Sequence, residues 1–397
     1  MNKNILTLKP DRDKSVLQRR PWIFSGAVAR VEGSPEMGDT VMVKSADGQE
    51  LGLAAYSPNS QIRARMWTWD ADQQVDTDFL KAKISEAIAM RRKLIPVGET
   101  TSVRLVHAES DGIPGLVVDQ YGDVLVMQVL TAGVEKWREE IKDILVNLIG
   151  TGGVYERSDV EVRHLEGLEP RSGLLYGGVP DPLVVEENGL KFLVDVAGGQ
   201  KTGFYVDQRR NRQKVREAAE GRDVLNCFCY TGAFSVYAAA GGAKSVLSVD
   251  SSDEALVVAE ENRKLNGLPD GLLTWQAGDV FKDLRTMRDS RQSFDLIVLD
   301  PPKFAPTSAQ AKQAVRGYKD INLLAFKLLR PGGLLFTFSC SGGVKEDLFQ
   351  KVVAGAALDA GVDARIVDRM HQGVDHPVAL QFPEGAYLKG LVCEVRE

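Results

Sequence analysis

From about residue 191 onward, apolar runs of strand character alternate with helical periodicity, and this alternation leaves few folds open. Asp223–Asn226, Ser245–Asp250, Leu273–Gln276, Leu296–Asp300 and Leu334–Ser339 read as strands. Helical spacing begins at Thr231, spans Ser252–Leu265 and returns over Lys319–Leu329. Strand–helix–strand succession of this kind predicts parallel βαβ units wound on both faces of one sheet. The predicted fold class is therefore α/β, Rossmann-like, for this part of the chain. In such sheets, ligands and chemistry gather at the carboxyl ends of the strands.

The preceding residues follow other rules. Over the first 75 residues short strands predominate: Gly38–Lys44, a turn at Asp47-Gly48, then Glu50–Tyr56 and Gln61–Trp67, the last with period-2 alternation. A small β-barrel or sandwich is expected. Thr77–Leu94 is helical, with Phe79, Leu80, Ile84, Ile88 and Met90 on one face. Strands at Val103–His107, Leu116–Val118 and Val124–Leu130, a helix over Val134–Ile149 and a strand at Gly153–Arg157 make an α+β module. It ends near the Pro180-Asp181-Pro182 breaker, before a hairpin around Asn188-Gly189. Three domains are expected: 1–75, 76–180 and 181–397. At 397 residues the chain has room for them.

No apolar run approaches the ~18–20 residues that cross a bilayer, and the amino terminus lacks a signal-peptide core. Four cysteines without a CxxC pair make neither a disulfide framework nor a zinc site. A cytoplasmic protein with no metal and no membrane partner is expected. The net charge of −6 argues against nonspecific coating of nucleic acid. Residues 1–30 nevertheless carry seven Lys/Arg, and 201–216 carry Lys201, Arg209, Arg210, Arg212, Lys214 and Arg216 against Asp207 alone. Such patches suit a phosphate-bearing partner held at defined points, or simply form solvated faces.

The strand exits carry the chemistry. The first βα turn, Asn226-Cys227-Phe228-Cys229-Tyr230-Thr231-Gly232, has one glycine where a ligand could meet helix N-terminal amides. It is not a dinucleotide fingerprint. Asp250 closes the next strand and can accept the two hydroxyls of a ribose. Asp279 follows the third and suits an adenine amino group, or caps the following helix. Asp300-Pro301-Pro302-Lys303-Phe304 ends the fourth. The fifth ends in Ser339-Cys340-Ser341-Gly342-Gly343, where Cys340 is a nucleophile or a small hydrophobe capping a strand.

Asn, Asp, Asp and Asp in order at four strand exits resemble the S-adenosylmethionine-dependent methyltransferase arrangement. Arg20–Ala27 and the Gly38-Asp39 strand start resemble a PUA domain, a compact RNA-binding barrel. With Lys201–Arg209, Asp300–Phe304, Arg316–Asn322, Phe338–Gly342, Asp375-His376-Pro377 and Tyr387–Gly390, the likeness spans nearly the whole chain. It is to the RlmI family of 23S ribosomal RNA cytosine-5 methyltransferases.

That resemblance implies a class I methyltransferase domain behind a PUA domain and a central α+β module. It implies S-adenosylmethionine as methyl donor, S-adenosylhomocysteine as product, and 23S ribosomal RNA or a large-subunit assembly intermediate as partner. A homodimer is compatible with it. The cofactor set implied is Asn226, Cys227, Phe228, Tyr230, Thr231, Gly232, Asp250, Ser251, Asp279, Val280 and Asp300, with Lys201, Thr202, Gln208 and Arg209. Cys227 and Cys229 are expected to pack or make backbone contacts, and Cys393 to lie in the core. Lys303, Phe304, Tyr318, Arg20 and Arg63 are expected to meet RNA.

C5 of cytosine is too poor a nucleophile to take a methyl group directly, so a thiolate must first add to C6. Cys340 is assigned that role. Asp300 is assigned the N3/N4 edge of a base flipped out of its stack. Many RNA cytosine-5 methyltransferases carry a second cysteine where this chain has Lys303, so the base for the C5 proton is left unassigned. Two rivals stand beside this reading. One is methylation of a guanine nitrogen, which needs no thiol; the other is a non-catalytic RNA-binding assembly factor, against which Asp250, Asp279 and Asp300 speak.

Overall fold

Apolar strand runs and amphipathic helices assemble into two compact units in the computed structural model, which describes residues 4–304 and 311–396 (side chains of 311–313 excepted). One unit comprises Met1–Glu186, Val194–Val206 and Val374–Gly385; the other comprises Glu187–Leu193, Asp207–Gly373 and Ala386–Glu397.

In the first unit, β1 (Ile5–Leu8), α1 (Lys14–Leu17), β2 (Trp22–Phe24), β3 (Val28–Glu32), β4 (Thr40–Lys44), β5 (Glu50–Tyr56) and β6 (Ile62–Thr68) lead the chain. Their six-stranded sheet has the order β2-β6-β5-β4-β1-β3. Leu6, Leu8, Val41, Val43, Leu51, Ala54, Ala64 and Met66 form its core. At Gly52, with φ 128°, a Cβ would lie 2.2 Å from the Thr68 carbonyl oxygen, so the β5–β6 pairing there admits only glycine.

Next come α2 (Thr77–Leu94), β7 (Ser102–His107), β8 (Leu116–Tyr121), β9 (Val124–Val129), α3 (Ala132–Lys136), α4 (Arg138–Ile149), β10 (Gly153–Ser158), α5 (Val162–Glu166) and β11 (Arg171–Gly177). The five strands form a sheet of order β11-β10-β9-β8-β7. α2 occupies the span the periodicity predicts, and Asp76 caps it by accepting from Phe79 N at 2.9 Å. The single helix expected over Val134–Ile149 is two helices, because Trp137 leaves helical geometry (φ −104°, ψ 15°) and its N–H turns back to Val134 O.

β12 (Leu183–Glu187) and β13 (Leu190–Val194) form a two-stranded sheet. Asn188 (φ 50°) and Gly189 (φ 76°) supply the two positive φ values a tight hairpin turn requires.

In the second unit, α6 (Arg209–Ala218), β14 (Asp223–Cys227), α7 (Ala233–Ala240), β15 (Ser245–Asp250), α8 (Asp253–Leu265), β16 (Leu273–Ala277), α9 (Val280–Asp289), β17 (Phe294–Leu299), α10 (Ala311–Leu328) and β18 (Leu329–Ser339) follow one another. The strand–helix alternation is the predicted one, but α6 and α9 are additional helices, α10 begins before Lys319 and β18 before Leu334. α11 (Glu346–Ala360), β19 (Ala364–His371) and β20 (Lys389–Val395) complete it. The sheet order is β16-β15-β14-β17-β18-β20-β19. β14 through β18 run parallel and β20 pairs antiparallel with both β18 and β19. Order reverses between β14 and β17, the switch point where a crevice opens outside the strand ends. One apolar layer joins Leu225, Ile297 and Leu335 to α10 and α11; the other joins Val224, Leu296 and Phe336 to α6 and α7.

Among the described residues no helix is long and apolar enough to cross a membrane, and no cluster of three His, Cys, Asp or Glu could hold a metal.

Candidate active site

The carboxylates Asp250, Asp279 and Asp300 and the Cys340 thiol of the second unit lie at or just beyond the carboxyl ends of parallel strands. Register brings these ends level: Cys227 pairs with Val249 and Leu299, Asp250 with Ala277, and Leu299 with Thr337.

The first turn is wound tightly. Phe228 (φ 60°) and Tyr230 (φ 49°) adopt left-handed backbone, a cost of about 1–3 kcal/mol per residue that surrounding structure must offset and that concentrates at ligand sites. What holds the turn is Asp250. Its Oδ2 accepts from Tyr230 N at 2.8 Å and its Oδ1 from Ser252 N at 3.0 Å. Gly232 (φ 75°) starts α7, and a Cβ there would lie 2.7 Å from the Trp275 ring. Beneath the turn, Asn226 donates to Ser235 Oγ at 2.8 Å, and Ser235 meets Ser248 at 2.8 Å. These bonds tie β14, α7 and β15 together.

The side chains of Asn226, Cys227, Thr231 and Val280 are buried. Whatever these residues offer a ligand comes from their backbone. Burial drives the Cys227 thiol far up, with Asp283 adding to the shift, and it does the same for Cys229. Neither is a ready thiolate. Cys393 lies in the core with its thiol pushed up to about 12 by burial. Ser251 and Asp279 are exposed. Asp279 does cap α9, its Oδ1 accepting from Phe281 N and Lys282 N, while its Oδ2 has no hydrogen bond among the described residues.

Asp300 is half-buried, and its Oδ2 accepts from Gln208 Nε2 at 2.9 Å. Gln208 is in turn held by Asn211, whose Nδ2 donates to Gln208 Oε1 at 2.6 Å and to His371 O at 3.1 Å. Asn211 has no place among the sequence candidates. Cys340 is half-buried, just beyond the end of β18.

Tyr318, expected to face RNA, is instead fully buried on α10, with its hydroxyl 2.9 Å from Ser341 Oγ. Burial raises its pKa, with Cys340 and Asp300 adding to the effect, so it remains a neutral hydrogen-bonding partner beneath the Cys340 loop. Phe304 packs 4.8 Å, centroid to centroid, from Tyr318 and 5.9 Å from Phe281. Lys303 beside it is exposed.

The basic run 201–216 is largely spent within the protein. Arg209 and Arg212 are buried, Arg212 bonded through two nitrogens to Glu187 at 2.7 Å each. Lys214 pairs with Asp368, and Arg216 donates to Asn188 O. As a phosphate-binding patch this stretch is therefore corrected. Arg209 and Arg212 are buried, where charge must be paired, whereas Arg210 is exposed.

Four candidates belong to the first unit. Thr202 is buried, donating to Asp119 Oδ2 at 2.6 Å beside the Tyr121 hydroxyl, so its side chain is committed to that core. Lys201 is exposed, its ammonium 4.2 Å from the Tyr205 ring centroid. Arg20 pairs with Glu384 at 2.8 Å, and Arg63 donates to the Pro58 carbonyl.

Comparison with known proteins agrees with this architecture. Residues 170–380 match the family of S-adenosylmethionine-dependent methyltransferases, and residues 6–69 match the PUA-like domain. A relative from Shewanella denitrificans, named ribosomal RNA large subunit methyltransferase I, is 52% identical over 98% of this chain and 99% of its own length. One of the same name from Aeromonas hydrophila is 53% identical over 97% and 98%. Among solved structures, the methyltransferase SMU.776 in complex with SAH superposes with a TM-score of 0.86 at 23% identity, covering both chains fully. A SAM-dependent methyltransferase from Streptococcus mutans gives 0.84 at 22% identity, over 98% of this chain and all of that one. At such identities the structural likeness is one of fold.

Proposed function

The chain belongs to the ribosomal RNA large subunit methyltransferase I family, and from that premise we propose that it methylates C5 of a cytosine in 23S ribosomal RNA through a covalent bond from Cys340 to C6. The observation that carries the reading is a half-buried thiol at the end of β18, on the strand next to β17 with its exit carboxylate Asp300. A nitrogen acceptor attacks a methyl donor unaided; a ring carbon needs such a thiol.

The residues fit S-adenosylmethionine. The Asp250 carboxylate has about four lone-pair sites, and protein donors use one on each oxygen. The remainder suit two ribose hydroxyls. Asp279 Oδ2 is open to an adenine amino group. Bound there, the cofactor supplies an electrophilic methyl group.

The protein's own residues supply the rest. The Cys340 thiolate bonds to C6 and the ring electrons shift toward C5, which then takes the methyl. Loss of the C5 proton restores the double bond as the S–C6 bond breaks and the thiolate leaves. Asp300, held by Gln208, faces the N3/N4 edge and favours the adduct. Substrate contact by the PUA-like domain is part of this proposal, with Arg20 and Arg63 as its RNA-facing residues.

Incubating the protein with methyl donor and 23S ribosomal RNA lacking the modification, then digesting to nucleosides, should yield 5-methylcytidine by mass spectrometry. A methylated guanosine in its place would refute the carbon chemistry. Asp250→Ala should weaken S-adenosylhomocysteine binding about 10–100-fold by calorimetry, the worth of hydrogen bonds to a charged group. Unchanged affinity would remove Asp250 from the cofactor site.

A further inference from the structure

β20 opens with a charged residue on an otherwise apolar face. Lys389, Leu391, Cys393 and Val395 alternate along the strand, and the latter three enter the core shared with α10 and α11. Lys389 is only 8% exposed. Burying an ammonium is costly unless the site uses or pairs it. Its Nζ donates to Ser341 O at 2.7 Å and to Val344 O at 2.8 Å. Those carbonyls belong to the turn that follows Cys340, itself closed by Val344 N donating to Ser341 O. Lys389 also pairs in register with Ser339, the last residue of β18.

We propose that Lys389 is a positioning residue that holds Cys340 in its thiolate form, supplying a buried positive charge at the Ser341–Val344 turn that follows the thiol while it fixes that turn. The proposal rests on the reading of Cys340 as nucleophile. An ammonium has three N–H donors. Two neutral carbonyls take up two of them without neutralising the charge.

Among the described residues, the groups named for the pair offer no other buried cation for this role. Lys303 is exposed, and water screens its charge. Glu346, at the start of α11, is exposed and pairs with Arg369 at 2.9 Å. Tyr318 on α10 is neutral, and Asp300 accepts from Gln208. Burial lowers the Lys389 pKa to about 8, while the charge of Cys340 acts to raise it. Coupling of this kind is reciprocal: if the thiolate favours the ammonium, the ammonium favours the thiolate equally. The exchange balances as a proton transfer, in which the S–H bond breaks, an N–H bond forms, and Cys340 thiol with Lys389 amine becomes thiolate with ammonium. The pair titrates as a unit.

Alkylation by iodoacetamide tests this, because it reads thiol acidity without RNA or methyl donor. Cys227, Cys229 and Cys393 are buried, so Cys340 is the accessible thiol of the four, and a Cys340→Ala control confirms the modified peptide. In the wild type the pH midpoint of Cys340 alkylation should lie at least about one unit below the ordinary thiol value of ~8.5. Lys389→Met should move it up by about one unit or more and slow alkylation at pH 7 about 10-fold. Lys389→Arg, which keeps the charge, should retain the low midpoint. A folded Met variant with the wild-type midpoint overturns the proposal, as does an Arg variant shifted as far as the Met one. Should the Met variant fail to fold, the wild-type midpoint decides: a value at or above the ordinary one overturns it. Loss of the nucleophile reading would appear separately, as turnover surviving Cys340→Ala.

Discussion

Cys340→Ala should lower methyl transfer by at least about 10³-fold, within the range seen when covalent nucleophiles are removed, while S-adenosylhomocysteine binding stays within about 2-fold of wild type. The contrast follows from where the residue sits. The ribose and adenine candidates lie at the exits of β15 and β16, beside the β14 turn; Cys340 follows β18, two strands from β14 in the sheet. Removing a half-buried sulfur deletes little packed volume, so the neighbouring Phe338 and Leu388 core has little reason to shift. What disappears is the group that adds to C6. Cys340→Ser sharpens the test, since a hydroxyl keeps the shape but is a far weaker nucleophile, and it should be nearly as inactive. Single-turnover methyl transfer on ribosomal RNA reads both variants. An alanine variant running at the normal rate would mean that the ring attacks the methyl donor without a covalent adduct.

The parallel sheet was legible because its strands are buried on both faces and read as continuous apolar runs. β15 and α2 fall on the spans their patterns predict. The strand-exit acids were legible for the same reason: each polar residue interrupts an apolar run at a definable place. Asp279 behaves as the helix cap that was its alternative reading, with one oxygen to spare.

What the sequence hid was burial of polar groups. The arginines of α6 read as a basic face, yet Arg212 meets Glu187, 25 positions away. Local composition says nothing about a partner so far along the chain. Gln208 and Asp300 are 92 positions apart, and Lys389 and Ser341 are 48 apart. Tyr318 was recoverable. Tyr318, Ile321, Ala325 and Leu328 follow helical spacing and all lie in the core, which marks the tyrosine as inward-facing. Lys389 left a similar mark by breaking the alternation of β20.

The chain from Asn211 through Gln208 to Asp300 yields the second large effect. His371 O can only accept, so it fixes which end of the Asn211 amide donates. Asn211 Nδ2 then fixes Gln208 Oε1 as acceptor, leaving Gln208 Nε2 to donate to Asp300 Oδ2. The carboxylate is thereby held by a buried donor whose own orientation is determined. Asp300→Asn should lower kcat about 10²–10⁴-fold, the usual worth of a positioned acid–base group. Gln208→Leu, which removes the donor but not the carboxylate, should cost about 10-fold, the equivalent of one hydrogen bond to a charged group. Because Gln208 acts through Asp300, the two losses should not multiply: Asp300→Asn with Gln208→Leu should be no slower than Asp300→Asn alone. Multiplying losses would show that Gln208 works independently of Asp300. A Gln208→Leu variant that loses cofactor affinity while keeping its single-turnover rate would return that residue to the cofactor site.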